Sequence, residues 1–421
     1  MKLRVLFTAG IALAGTVTAF PQAANAAPLL CLESDAGIYT APAFITAAAG
    51  DLISCRSVTL PQVPGNVPMN AWKVKYASTD LNGKKIAVSG TVAVPKAAWT
   101  KGGSRPTVAF NPGTLGSGPQ CAFSKQLAGE YQDEYEGEQL AAFLKAGFAV
   151  AATDGVGYLT GQTHTYMIGA NAGHALLDIV RASRRIPFGT LKADGKVAIS
   201  GYSEGGAASL WGSQLAASYA PELQVVGAAA GGVPGDLKLT AKQLNGGPFA
   251  GFLADAVVGL NAAYPTLPFT GLINAKGVQA VKDAKSLCLY GTLAKFLGTD
   301  IKSLTTAGYT LEQLYPLKDA SGLSWGEAVD AQKLGVNIGG PASSAKYKIG
   351  FPTYQYRGYL EEIIPHETEE ETRRLYCQAG ITTQWNNTYP GEHLLTDSLA
   401  INDVTGWIGD RFAAKPAPSN C

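Results

Sequence analysis

The stretch "KVAISGYSEGGA", residues 196–207, restricts the fold more than any other part of the chain. "KVAIS" is a short apolar run with β-branched residues, and "EGGAASLWGSQLAASYAP" follows it with small and apolar residues at helical spacing, ending at Pro221. Ser203 therefore stands between an expected buried strand and an expected helix, inside a Gly-x-Ser-x-Gly match. A turn that tight admits only small neighbours, and Gly201, Gly205, Gly206 and Ala207 supply them. Context matters because glycine makes up 50 of 421 residues, and the same pattern recurs by composition as "GLSWG" at 322–326. No strand-like run precedes Ser324. Ser324 and Glu327 instead have the spacing of a helix capping box, which explains this second serine without chemistry.

The surroundings repeat the strand-then-helix order. "KIAVSGTVAVP" (85–95), "PTVAF" (106–110), "GFAVAAT" (147–153), "KVAIS" (196–200), "LQVVGAAAG" (223–231) and "GFPTYQY" (350–356) read as strands. "EGEQLAAFLKAG" and "NAGHALLDIVRASRRIP" between them read as helices. Such alternation predicts a mainly parallel sheet covered on both faces, the α/β-hydrolase architecture. From 234 to about 345 the pattern is helical only, which predicts a cap or lid inserted into a core of residues 27–233 and 346–421. The first 26 residues have a cationic start, an apolar run and an Ala-x-Ala site, and read as a cleaved export signal. The expected product is secreted or periplasmic, with roughly 395 residues, enough for one large domain with an insertion or for two domains. Six cysteines in an exported chain predict disulfides. Charge is balanced, with 33 Lys and Arg against 32 Asp and Glu, and no basic patch suggests nucleic acid.

A serine hydroxyl needs a histidine base held by a carboxylate, and in this architecture the chain order is serine, acid, histidine. His164 and His174 precede Ser203. His366 begins a polar helix, "HETEEETRRLY". His393 follows the strand-like "GITTQW" and a glycine-containing loop, and is the expected base. Glu361 and Glu362 in "RGYLEEIIP", and Asp236 after the strand ending near Gly231, are the candidate acids. The oxyanion donors are expected to be the backbone amide of Glu204 and that of Thr114 or Leu115 in "NPGTLG".

Several long stretches, in order, carry a family resemblance: "NPGTLGSGPQCAFS", "ATDGVGY", "GQTHTYMIGANAGHALLDIVRA", "GYSEGGAA", "GGVPGDL", "NAAYP" and "YRGYLEEIIP". Together they resemble the secretory lipase family. The resemblance implies Ser203 as nucleophile, His393 as base, and an acid at the position of Glu361. There the family has a stretch like His-Gly-x-x-Asp-Glu-Ile-Val-Pro, and here it is Arg357 to Pro365 with Glu in place of Asp. It also implies a Cys121–Cys288 bridge from the oxyanion loop to the cap, a Cys377–Cys421 bridge, and with them Cys31–Cys55. The activity implied is hydrolysis of lipid esters by a monomer at a lipid–water interface, with no cofactor or metal. The alternatives are an esterase of short-chain or carbohydrate-linked esters, a serine peptidase, and a secreted binding protein that kept the fold and lost activity.

Overall fold

The computed structural model describes residues 1, 30–133, 135–187 and 189–421, so the export signal expected at 1–26 lies outside the described residues apart from Met1. The strands are β1 (Leu52–Val58), β2 (Met69–Thr79), β3 (Lys85–Pro95), β4 (Thr107–Asn111), β5 (Ala149–Thr153), β6 (Val197–Tyr202), β7 (Val225–Gly231), β8 (Ile338–Gly339), β9 (Tyr347–Lys348), β10 (Thr353–Gly358) and β11 (Thr383–Tyr389). All but β8 and β9 form one sheet, in the order β1-β2-β3-β5-β4-β6-β7-β10-β11. Pairing is antiparallel from β1 to β5 and parallel from there to β11. β4, β5, β6 and β10 are buried along their whole length. A parallel sheet sandwiched by helices selects the continuous apolar runs read in the sequence. β1 and β2 carry no such run. β2 reads "MNAWKVKYAST", and its two lysines are buried. Lys73 pairs with Asp35 at 2.7 Å and with Glu130, and Lys75 donates to the Gly37 carbonyl at 2.8 Å, so the charges are met by partners that periodicity does not reveal.

Because the central strands run in parallel, their carboxyl ends share one edge, where such sheets place their ligands. Asn111 lies beside Gly201 in that register, and Tyr202 beside Gly231. Between β7 and β8 the chain is helical, through Leu237–Leu244, Ala250–Ala263, Ala275–Ala284, Leu289–Phe296, Leu311–Leu314 and Trp325–Asp330. These helices pack small hydrophobic clusters, one around Leu244, Phe252 and Leu289 that Ile363 and Ile364 of the loop after β10 complete, another around Leu237, Leu260 and Trp325. No described helix is long and apolar enough to cross a membrane.

Three disulfides form, Cys31–Cys55, Cys121–Cys288 and Cys377–Cys421, the pairs that the resemblance implies. Cys121–Cys288 closes 167 residues of sequence and joins the loop after β4 to the helical insertion. Backbone bonds reinforce the seam, from Gly118 to the Leu287 carbonyl at 3.1 Å and from Leu289 to the Leu115 carbonyl at 3.0 Å. A cross-link of that span restricts the unfolded chain strongly. Replacing both cysteines by serine is expected to lower unfolding stability by roughly 2–5 kcal/mol, read as an earlier midpoint in urea melts.

Candidate active site

Ser203 separates β6 from the helix Glu204–Tyr219 and has φ 57° and ψ −118°. A non-glycine residue held there is strained, and surrounding contacts must hold it. The Ser203 amide donates to the Gly231 carbonyl at 2.9 Å. A Cβ on Gly205 would lie 2.1 Å from the Asn111 carbonyl oxygen, and one on Gly206 would lie 2.3 Å from the Gly231 carbonyl oxygen. The glycines therefore let the turn drop onto β4 and β7, which leaves the serine side chain at the crest. Ser324 has both reciprocal bonds of a capping box with Glu327.

The loop after β10 carries Glu361, whose carboxylate accepts from the Ile363 and Ile364 amides at 3.0 and 2.9 Å. The same carboxylate meets Nδ1 of His393 at 2.8 and 2.7 Å. Both residues are buried. Burial opposes a charge on the imidazole, but the Glu361 carboxylate outweighs it and raises the His393 pKa above the ordinary value. Burial pushes Glu361 up in turn, and the facing imidazole with the two amides more than offsets this, leaving its pKa below the ordinary value. The His393 ring packs on Tyr202, the residue before Ser203, with centroids 5.0 Å apart. Among the described residues the Ser203 hydroxyl makes no hydrogen bond to this ring, a contact that in hydrolases commonly tightens only as substrate binds.

The other candidate acids point elsewhere. Glu362 accepts from the His393 backbone amide at 3.0 Å and does not reach the ring. Asp236 caps the helix Leu237–Leu244 and pairs with Lys333 at 2.7 Å. His174 stacks on Tyr219 at 3.9 Å between centroids, and His366 Nε2 donates to the Glu361 carbonyl at 3.1 Å.

Thr114 is buried in the loop after β4, and Glu204 is the first residue of the elbow helix. Among the described residues neither backbone amide donates to a protein acceptor, so both remain available to a ligand oxygen. Glu136 holds this loop by accepting from the Gly113 amide at 2.7 Å. Sequence reading missed Asp397, one helical turn beyond His393 and hydrogen-bonded by Gln139, whose carboxyl is pushed up to about 7 by burial. It also missed the contact of His164 with Glu204. Neither leaves a local pattern in the chain. Among the described residues no group of three or more His, Cys, Asp and Glu is placed to hold a metal.

Ser203 borders a cleft with about 1080 Å³ of empty space, its mouth included. Its walls are almost wholly apolar and come mainly from the helical insertion, including Leu237, Leu244, Phe252, Leu260 and Ile301. Ile363 and Ile364, whose amides hold Glu361, also line it.

The parallel sheet, the strained serine elbow and the buried Glu–His pair define an α/β-hydrolase. Residues 124–420 match the family model of secretory lipases, and the chain belongs to that family, and with it to the carboxylic ester hydrolases. Among known proteins it is similar to lipase A of Moesziomyces aphidis, 29% identical over 392 residues that span 90% of this chain and 80% of that one. It is also similar to a secreted triacylglycerol lipase of Malassezia globosa, 27% identical over 394 residues, 88% of this chain and 79% of that one. Among solved structures, Candida antarctica lipase A in its closed state superposes with a TM-score of 0.76 at 25% identity, covering 92% of this chain and 87% of that one. The rice cell wall degrading esterase LipA of Xanthomonas oryzae has a TM-score of 0.66 at 17% identity, over 87% and 99% of the two chains, a likeness of fold alone.

The Glu361–His393 contact generates a pH prediction. In Glu361→Gln the anion that raises the imidazole pKa is gone and burial, which lowers it, remains. The acid limb of the kcat/KM profile is expected to move to lower pH, and the plateau to fall by a factor on the order of 10⁴.

Proposed function

We propose that this chain hydrolyses lipid esters through Ser203, His393 and Glu361, with the acyl chain lying in the cleft beneath the helical insertion. The observation that carries the reading is that cleft: a strained serine at the margin of a large, apolar, partly enclosed space. Pockets of several hundred Å³ or more accommodate whole small ligands, and walls that are almost wholly apolar favour hydrocarbon. The insertion, residues 234–345, then serves as a cap that forms most of the acyl site. Three disulfides fit an exported protein whose signal segment is cleaved.

In the first half-reaction His393 Nε2 takes the Ser203 proton as Oγ attacks the ester carbonyl carbon. The π pair of the carbonyl moves onto oxygen, and the backbone amides of Thr114 and Glu204 receive it. Glu361 holds the imidazole by Nδ1 and stabilises its charge. Collapse breaks the bond to the alkoxy oxygen, which takes the proton from His393 and leaves as the alcohol. Water repeats the sequence on the acyl-enzyme and frees the carboxylic acid and Ser203. Each amide donor is worth about 3 kcal/mol in such holes.

Hydrolysis of p-nitrophenyl esters from acetate to palmitate tests the reading. Ser203→Ala is expected to lose nearly all activity. Burial of each methylene contributes about 0.8 kcal/mol, so two added carbons can raise kcat/KM on the order of tenfold until the cleft is filled. A profile highest at acetate would transfer the protein to the short-chain esterases. A wild type inert on every ester but labelled by a fluorophosphonate would indicate a peptidase, and one that does neither a binding protein.

A further inference from the structure

Two oxyanion donors work together only if their separation is fixed, because each must lie 2.7–3.1 Å from one developing charge. Thr114 and Glu204 belong to different elements, the loop after β4 and the elbow helix. A short segment between β5 and the helix Gly169–Ser183 touches both. His164 Nε2 lies 3.0 Å from Glu204 Oε1, and the Tyr166 hydroxyl lies 2.8 Å from Thr114 Oγ1. We propose that His164 and Tyr166 are positioning residues for ester hydrolysis, a strap that sets the spacing of the two oxyanion donors by gripping the side chains of the residues whose amides donate. The inference rests on the assignment of Thr114 and Glu204 in the proposed function.

The strap is held on every side. The Val156 carbonyl accepts from the Thr165 amide at 3.0 Å and from His164 Nδ1 at 2.9 Å. Nδ1 therefore carries a proton. Nε2 faces a carboxylate oxygen, and a proton on Nε2 makes the contact a charge-assisted bond. Burial opposes the imidazolium, yet Glu204 outweighs it and raises the His164 pKa. Tyr158 stacks on the ring with centroids 4.5 Å apart. Asn171 donates to the Thr165 hydroxyl at 3.0 Å. Met167 sits at φ 64°, a left-handed conformation that a free loop would leave.

The insertion closes the last side. A Cβ on Gly259, in the helix Ala250–Ala263, would lie 2.5 Å from the Tyr166 amide nitrogen, so this helix rests directly on the strap backbone. Four residues earlier, Asp255 is wholly buried and accepts from the Ser117 hydroxyl at 3.1 Å. Burial pushes its carboxyl up to about 8, toward the neutral form, with Ser117 opposing. The strap thus fills the space between cap and elbow as a spacer, and its side chains lead to the donors.

The test compares steady-state kinetics on p-nitrophenyl butyrate with affinity for an alkyl boronic acid, which adds to the serine and mimics the tetrahedral oxyanion. In His164→Ala and in Tyr166→Phe, kcat is expected to fall roughly 10- to 100-fold with KM within about twofold. Boronate affinity should fall in parallel, and affinity for butyrate should not. Glu204→Gln, which can still bond to His164, is expected to recover most of what Glu204→Ala loses. His164→Ala/Glu204→Ala should be no worse than the poorer single variant. Tyr166→Phe removes one oxygen and keeps the test alive if His164→Ala does not fold. Folded variants with unchanged kcat, or with losses in KM or melting temperature alone, overturn the strap. End-point labelling by a fluorophosphonate separates this failure from a deeper one: label on Ser203 with unchanged labelling rate in the variants overturns the strap alone, and no label on wild-type Ser203 overturns the reading beneath it as well.

Discussion

The elbow depends on backbone meeting backbone. Asn111, at the end of β4, presents its carbonyl oxygen where side chains on Gly201 and Gly205 would have to go, since a Cβ on either would lie 2.5 or 2.1 Å away. Only glycine lets the helix Glu204–Tyr219 begin so close to the sheet. That approach forces Ser203 to φ 57° and points the Glu204 amide out of the helix start. The loop after β4 is brought alongside by the same contact, and the helical insertion is fastened to that loop. A single methyl group at Gly205 would therefore disturb the serine, both proposed donors and the cap together.

The second constraint is electrostatic. Around the elbow the chain buries an unusual number of acids: Glu204, Glu361, Glu369, Asp397 and Asp255. They are handled in two ways. Glu361 and Glu204 each face an imidazole, and Glu361 also has two amides. Asp397, Asp255 and Glu369 are driven by burial toward the neutral form, Glu369 with the nearby Glu361 charge adding to the effect. Burying a carboxylate without a close cation costs several kcal/mol, and at Glu369 the Arg357 guanidinium 3.7 Å away only partly opposes burial, so protonation is the cheaper state.

Much of this was legible in the chain because local rules and global fold agree there. "KIAVSGTVAVP" coincides with β3 residue for residue, and the serine elbow, the capping box at Ser324 and the return of strands after the helical stretch follow from periodicity and turn chemistry. β1 and β2 were not legible. They lie on the antiparallel side of the sheet, and Lys73 and Lys75 break the apolar pattern while finding partners far along the chain. Chain order set His164 aside as a base, and the structure gives it a different partner, 40 residues away in sequence. Read from the residues alone, Glu361, Glu362 and Asp236 stay open, and the family resemblance points to Glu361. The path of the Glu361–Ile364 turn, with two amides directed at one carboxylate, is the physical reason that Glu361 meets the histidine, and it leaves no pattern in the residues themselves.

The seam between the loop after β4 and the insertion, with Cys121–Cys288 and its flanking backbone bonds, constrains how the molecule can move. A body pinned along one edge swings about that edge, and displacement grows with distance from the axis. The Thr114 region lies next to the pin and would travel least, while the parts of the insertion farthest from the disulfide would travel most. In the proposed reading, entry of a bulky ester and constancy of the proposed oxyanion amides then fall to opposite ends of one lever.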